Sequence, residues 1–340
     1  MKKFDFCIGN PPYQEDSKGA NESDPPVYHI FYDSAMAVAN KVEFITPARF
    51  LFEAGGTPAE WNRKMLNDDH FKVLDYQEDA SLVFSNTDIK GGVAISYRDS
   101  DKSYGAIEVF TKYEELNTIL KKVDSISSSS LSEIISNRGL YRYSDIAYNE
   151  QPKELKKTAD PRIAPSSFER MPKLFLKKEP NDGEDYVKIL GRVNNSREYR
   201  FIKRKYIKDT DNLKYYKVIV PKASGTGAFG QPMAPPIILE PDMGFTETYI
   251  SIGEFESRKP AECVMKYVKT KFARAMLGVL KVTQNNSKPT WRKVPLQDFT
   301  SESDLNWNTS IANIDKQLYK KYKLTDEEID FIETHVKEME

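Results

Sequence analysis

Four residues near the start of the chain, Asn10-Pro11-Pro12-Tyr13, combine a carboxamide, two rigid imino acids and a phenol. They follow the apolar run from Phe4 to Ile8, which reads as a buried strand. Each proline lacks a backbone N–H and has a fixed φ, so the strand must stop and the amide and phenol are held in an extended turn at its carboxyl end. Asn10 offers a carbonyl acceptor, and the Pro11 carbonyl is a second acceptor outside any strand ladder. Two converging acceptors suit a planar –NH2 group: they take its protons and draw its lone pair out of conjugation, as methyl transfer to an exocyclic nitrogen requires. The Tyr13 ring can then lie against the flat base or amide that carries the amine. Taken alone, the tetrapeptide equally suits a turn that only ends a strand.

Such a turn needs a sheet to hold it, and the next hundred residues alternate strand and helix. After FDFCI comes a polar loop, residues 14–26, then VYHIFYDSAMAVA with helical apolar spacing and the strand VEFITP, ended by Pro47. A turn at Gly55-Gly56 leads to Thr57-Pro58-Ala59-Glu60, which reads as an N-cap with proline in the first helical position, opening a helix through Trp61 to Leu66. FKVLDYQ and GGVAISYR are two further strands, joined without a helical pattern and so suited to antiparallel pairing. The alternation implies an α/β sheet of mainly parallel order, in which ligands bind at the carboxyl ends of the strands. Residues 111–123 have a helical period and meet SISSSS, the most linker-like stretch of the chain, which places domains at 1–124 and 125–340. Beyond it lie short β-rich pieces, among them YKVIV and ETYISIG. Residues 261–280 form the strongest amphipathic helix, with Val264, Val268, Phe272, Met276 and Val279 on its apolar face, and Thr325 to Glu328 form a capping box.

The chain has 340 residues, 30% of them charged, and a net charge of only −1. No apolar run is long enough to span a membrane, and the N-terminal Lys-Lys and short apolar run do not make a signal peptide. Cys7 and Cys263 sit in apolar-periodic segments and read as buried free thiols of a cytoplasmic protein; His29, His70 and His335 have no metal-ligand spacing. The neutral total hides segregation. Residues 187–222 hold eleven Lys/Arg against three acids, whereas residues 298–340 hold eleven acids against five bases. Tyr199, Phe201, Tyr206, Tyr215 and Tyr216 interleave with the basic cluster, which suits either a polyanion or a solvated charged ribbon. Within it Arg192, Asn194, Asn195, Arg197 and Arg200 have base-reading chemistry, and Lys203, Arg204, Lys205 and Lys222 have phosphate-neutralising chemistry. On the helix 261–281, Lys266, Lys269, Lys271 and Arg274 fall on the exposed sides, open to a phosphate backbone or only to solvent; Trp291 and Trp307 read as packing anchors.

FDFCIGNPPYQ resembles motif IV of the amino-group DNA methyltransferases, in particular the N6-adenine enzymes of type II restriction–modification systems in the gamma order. VYHIFYDSAMAVANKVEFITPARFL resembles the helix and strand after motif IV, and ASLVFSNTDIKGGVAISYR resembles motif VIII and its strand. KYYKVIVPKASGTGAFG, TETYISIGEF, YVKTKFARAMLGVLKVTQ, TWRKVPLQDF and IDKQLYKKYKLTDEEIDFIETHV are similar to the specificity half of such enzymes, so the resemblance spans nearly the whole chain. It implies an α/β fold: a truncated Rossmann-like methyltransferase sheet, the catalytic half, followed by an α+β target-recognition domain. The implied activity is site-specific adenine-N6 methylation of double-stranded DNA by base flipping. Asn10, Pro11, Pro12 and Tyr13 would be catalytic, with the extruded adenine stacked between Tyr13 and Phe84; Phe84 also suits a plain core position.

The family's cofactor is S-adenosylmethionine, bound by a glycine-rich loop upstream of motif IV, and only nine residues precede Asn10 here. Gly225 to Gly230 fits G-x-G-x-x-G after the strand YKVIV, but such a loop must open a helix and this one runs into QPMAPP. No cofactor-binding residue is therefore assigned. The chain matches the latter part of a methyltransferase, truncated or split, whose partners are duplex DNA and a separate N-terminal portion carrying the cofactor site or a nuclease. Two other functions share the same residues: a non-enzymatic DNA-specificity fragment, and a protein-glutamine or RNA methyltransferase using the same turn. The basic β-rich half argues against a protein substrate.

Overall fold

The computed structural model describes residues 3–15, 25–52, 56–85, 89, 91–208, 210–281 and 283–339. Most of the expected polar loop, Gly55, Asn86 to Asp88, Lys90 and Asp209 lie outside the described residues. The chain forms two compact units, Met1–Glu114 and Glu115–Glu340.

In the first unit β1 (Phe4–Gly9), α1 (Tyr28–Val38), β2 (Ala39–Pro47), α2 (Ala59–Leu66), β3 (Phe71–Gln77) and β4 (Val93–Asp99) follow in order. The sheet order is β1-β2-β4-β3. β1 pairs parallel with β2, and β4 pairs antiparallel with both β2 and β3. The antiparallel pair expected from FKVLDYQ and GGVAISYR is present, but the only parallel ladder of this sheet among the described residues is β1–β2. Because β4 is reversed between them, β2 and β3 still point the same way. The carboxyl ends of β1, β2 and β3 therefore share one edge of the sheet.

Period-two burial of Val42, Phe44 and Thr46 on β2 and helical-period burial of Tyr28, Tyr32 and Ala35 on α1 bring these two elements face to face. Phe50, Trp61 and Phe71 complete an aromatic core. The Tyr32 hydroxyl, fully buried, is bonded to the Ser96 hydroxyl and lies 3.5 Å from Thr46 Oγ1. Two local expectations fail. β1 is an edge strand, with β2 its only neighbour among the described residues, and it is not buried: Phe4, Phe6 and Ile8 alternate onto one open face of the sheet and are 58%, 57% and 70% exposed. Thr57 does not cap α2; its hydroxyl donates to the Asn62 side-chain carbonyl at 2.6 Å. The β3–β4 connection closes through Gly92, whose φ is +75° and whose place no side chain could take, because a Cβ would overlap the Gln77 carbonyl oxygen.

The second unit begins with α3 (Glu114–Ile126) and three short helices, α4 (Asp145–Glu150), α5 (Pro152–Leu155) and α6 (Ser167–Arg170). Next come β5 (Tyr186–Val193), β6 (Ser196–Lys203), β7 (Tyr216–Pro221), β8 (Ile237–Leu239), β9 (Met243–Phe245) and β10 (Tyr249–Phe255). They form two three-stranded sheets, β6-β5-β9 and β10-β7-β8. Four helices follow: α7 (Arg258–Tyr267), α8 (Lys271–Gly278), α9 (Ile311–Lys321) and α10 (Asp326–His335). The serine stretch expected to be a linker is pinned. Ser127 Oγ bonds the Tyr322 hydroxyl at 2.8 Å, Ser129 O accepts from Leu296 N–H at 3.0 Å, and Ser130 with Glu133 forms a capping box. α3 belongs to this unit as well, since Thr118 and Lys122 both bond Glu328, so the compact units part before it and not within the serines. The capping box of Thr325 and Glu328 on α10 is present as expected.

The long helix expected over 261–280 is broken at Val268 to Thr270, where buried Thr270 starts α8 by accepting from Ala273 N–H. The break turns Arg274 inward, to 4% exposure. It also leaves the first N–H groups of α8 without helical partners, and both oxygens of Asp315 on α9 accept from them, at 3.1 Å from Lys271 N and 2.9 Å from Phe272 N. Burial nevertheless raises the Asp315 carboxyl from 3.8 to about 6; Glu333 pushes it the same way and Arg274 opposes. The folded protein thus holds this proton more tightly than the unfolded chain, so the group adds stability below pH 4 that is lost as pH rises through about 6. Urea titrations should show wild type losing about 2 kcal/mol relative to Asp315→Asn between roughly pH 4 and 6, and nothing more above that. A difference independent of pH would contradict this account. Independently, Tyr32→Phe should cost about 1–2 kcal/mol, because it leaves the buried Ser96 and Thr46 hydroxyls short of a partner.

Candidate functional site

The Asn10–Tyr13 turn leaves the sheet directly after Gly9. Asn10 and Pro12 are exposed, Pro11 is buried and Tyr13 half-buried. The far side of the turn is clamped to the segment before α1: Tyr13 O accepts from Val27 N–H at 3.1 Å, Pro25 O accepts from Glu15 N–H at 3.1 Å, and Gln14 bridges Pro26. No backbone N–H among the described residues donates to the Pro11 carbonyl, which keeps its acceptor capacity. Burial raises the Tyr13 phenol above its usual range, and the neighbouring Asn10 side chain partly offsets this. The Tyr13 hydroxyl nonetheless has no partner at hydrogen-bond geometry among the described residues.

Phe84 lies beyond β3, at the same edge of the sheet. A single 3-10 turn, Ala80–Leu82, is started by Asp79, whose carboxylate accepts from Ser81 N–H at 3.0 Å, and Phe84 N–H closes onto Ala80 O at 2.8 Å. This carries the Phe84 ring to Tyr13: the centroids are 6.4 Å apart and the planes meet at 69°. Two residues separated by seventy positions in sequence are thus ring neighbours, with the Asn10 carboxamide beside them. A flat base between two parallel rings would need about 7 Å, twice the ~3.4 Å stacking distance of bases. The spacing is close to that, and the ring angle is not; Tyr13 and Phe84 close edge to face.

The basic segment separates into two populations. Lys203 pairs with Glu184 at 2.8 Å, Lys205 with Glu150 and Glu184, and Arg204 bridges Asp185 and Asp242. Arg200 is 7% exposed, ion-paired to Glu198 at 2.8 Å and set over the Phe168 ring. Lys217 is fully buried, donating to Asn212 O and Tyr215 O, and burial lowers it to about 8. Arg192 and Arg197, by contrast, are exposed and donate to backbone carbonyls, of Asn195 and Pro235, with no carboxylate at ion-pair distance among the described residues; both charges also act on the Tyr249 phenol. They flank a hairpin turn that the sequence analysis did not find. Asn194 and Asn195 both have positive φ, +47° and +64°, the geometry of a two-residue primed turn joining β5 to β6. Its signal was present, as two asparagines between alternating apolar runs. In the ladder Arg192 faces Arg197 directly, and like charges so placed oppose folding. Lys222 is half-buried at the end of the adjoining strand segment.

Elsewhere the exposed cationic face expected on 261–281 does not form. Lys266 donates to Trp307 O and Thr309 O, and Lys271 pairs with Glu333. Trp291 and Trp307 are buried, as their packing role required. Gly225 to Gly230 opens no helix: the chain continues irregularly to β8 at Ile237. This loop therefore does not have the strand–glycine–helix form that cradles a dinucleotide-like cofactor, and it does not fit S-adenosylmethionine in that way.

Residues 1–84 match the family described as Eco57I restriction-modification methylase. That span contains the Asn10–Tyr13 turn and ends at Phe84. A solved chain of the Type IIL restriction-modification enzyme MmeI, in complex with DNA, is similar at 12% identity and a TM-score of 0.33, over 98% of this chain and 55% of that one. This chain thus spans about half the length of MmeI, and at that score the two need not share a fold. No curated protein matches the chain.

The ring contact has a direct check. In a double-mutant cycle of Tyr13→Leu and Phe84→Leu, read by urea unfolding, the coupling should be about 0.5–1.5 kcal/mol. Additive effects would mean that the rings do not meet in solution.

Proposed function

We propose that this chain is the target-holding and DNA-reading part of a site-specific DNA adenine-N6 methyltransferase of a restriction–modification system. The observation that carries the proposal is the meeting of the Asn10–Tyr13 turn with Phe84 at the carboxyl edge of the first sheet. The family match over residues 1–84 supports it. An adenine swung out of the duplex, at a cost of a few kcal/mol, would enter between the two rings as they rotate from edge-to-face towards parallel. Stacking returns about 1–3 kcal/mol per base. The Asn10 carbonyl and the Pro11 carbonyl would accept the two N6 protons, which fixes the amine and frees its lone pair; the surplus proton leaves after methylation. S-adenosylmethionine is the expected donor, held by a portion other than the Gly225–Gly230 loop.

On the second unit the Arg192–Asn194–Asn195–Arg197 hairpin is the leading DNA contact, because its charges have no carboxylate partners among the described residues while those of Lys203, Arg204 and Lys205 do. Base-edge and phosphate contacts would relieve the Arg192–Arg197 repulsion that folding alone leaves in place. A specificity fragment without catalysis of its own is the second reading, favoured by the form of the Gly225–Gly230 loop.

Two measurements test these assignments. With the portion that holds S-adenosylmethionine supplied in trans, methyl transfer from the tritiated cofactor to mixed-sequence duplex DNA should label adenine N6 and be abolished by Asn10→Ala, while the chain alone should bind duplex without label; binding that gives no label even in trans supports the specificity fragment, and neither label nor binding sinks both. In filter binding, Arg197→Ala should weaken duplex affinity and lower the salt slope by about one, whereas Lys205→Ala should change both less. Equal effects would dissolve the distinction between free and paired cations.

A further inference from the structure

We infer that the end of the β5–β6 hairpin enters the major groove of duplex DNA, where Arg192 and Arg197 each bind the edge of a guanine, in neighbouring base pairs. This contact rests on the DNA-binding half of the proposed function and not on methylation. Around the turn Arg192, Asn194, Asn195, Ser196 and Arg197 are all exposed, while the same two strands are buried behind it at Ile189, Leu190 and Ile202. The hairpin therefore ends in a free tip on a fixed root. Paired strands lie about 4.8 Å apart, so the ribbon fits a major groove about 12 Å wide and not a minor groove of about 6 Å.

The register brings the two arginines together. Asn194 and Asn195 take positive φ, so the turn has two residues only, Val193 pairs with Ser196, and Arg192 pairs with Arg197. Facing residues of an antiparallel pair share one face of the sheet, with Cβ atoms about 4.5–5.5 Å apart. Each guanidinium is braced by a carbonyl: Arg192 Nη2 donates to Asn195 O at 2.7 Å, and Arg197 Nη2 to Pro235 O at 2.6 Å. One such bond leaves most of the N–H fork of each group open among the described residues, and a carbonyl does not cancel the charge. Lys188 lies on the same face and sits over the Tyr199 ring, 4.6 Å from its centre, so the charge behind the tip is positive as well.

Guanine is the base that answers this pair. Its major-groove edge offers two acceptors, N7 and O6, and no donor, so it takes the planar fork of a guanidinium in two parallel bonds. Adenine sets a donor beside its N7, cytosine offers a donor, and thymine offers one acceptor beside a methyl group. Successive base pairs rise by about 3.4 Å, and arginines that start about 5 Å apart can span one such step. Two guanines would thus hold both charges in place and supply the acceptors that the fold does not. Phosphates would also take both charges, but that would leave the arginines without a part in reading sequence.

The test selects binding sites from a random-sequence duplex library with the full chain, Arg192→Gln and Arg197→Gln. Wild type should select sites holding two neighbouring G·C pairs, and 7-deazaguanine at either one, which removes N7, should weaken binding about five-fold or more. Each variant should lose selection at one of the two pairs and keep the rest of the site. Its melting temperature should be no lower than that of wild type, because one of two facing like charges is gone. Variants that weaken all sequences alike and leave the selected site unchanged would put the arginines on phosphates and overturn the guanine contact. A wild-type site without neighbouring G·C pairs, or binding indifferent to 7-deazaguanine, overturns it too, and in these cases the DNA-binding function stands. No duplex binding at all sinks both. Guanine selection without methyl label, even with the cofactor portion supplied, keeps the guanine contact and sinks the methyltransferase reading.

Discussion

A reversed strand is the constraint on which the first unit depends. The crossover through α2 carries the chain from β2 to β3, so β3 points the same way as β1 and β2, and β4 then runs backwards into the place between β2 and β3. The turn after β1 and the turn after β3 must then emerge at one edge, which is how Tyr13 and Phe84 come into ring contact. The connection that makes the reversal possible closes through Gly92, where only glycine fits. Below it, the Tyr32 hydroxyl ties α1 to β4 inside the aromatic core, so the scaffold under the site is held by a polar bond in a place where water cannot compete.

Charge pairing organises the second unit in the same way. Many of its lysines and arginines pair with carboxylates within the unit, and those that do are already accounted for energetically by the fold. The informative cations are the exceptions. Arg192 and Arg197 are exposed and repel each other across a tight hairpin; Arg274 and Lys281 are buried with no bonded carboxylate among the described residues. The Arg192–Arg197 repulsion is a cost to the isolated protein that an anion would remove, whereas Arg274 and Lys281 are bonded to backbone carbonyls inside the unit.

The sequence carried the four strands of the first sheet, the proline-stopped turn and the C-terminal capping box, because those depend on neighbours a few residues apart. FKVLDYQ and GGVAISYR could be paired because nothing helical separates them. It did not carry the distinction between free and paired cations: Lys203 and Arg204 look the same as Arg197 until Glu184 and Asp242 are brought alongside. The break at Thr270 was hidden by an apolar period that continues through it, and with it the inward turn of Arg274. SISSSS looked like a linker because serine suits one, yet the same hydroxyls serve as bonds to Tyr322 and as a helix cap once partners are present. β1 looked buried from composition, whereas burial depends on what lies across from it.

The central claim is that the Asn10–Tyr13 turn and Phe84 receive an extruded base. Photocrosslinking reports it most directly, using the full chain and mixed-sequence duplex with 8-bromoadenine in place of adenine, and mapping the crosslinked peptides by mass spectrometry. The account expects crosslinks on Tyr13 or Phe84, reduced when Asn10 is replaced by alanine. Crosslinks confined to the second unit, with none at residues 10–13 or 84, would show that the aromatic pair closes a strand end and holds no base.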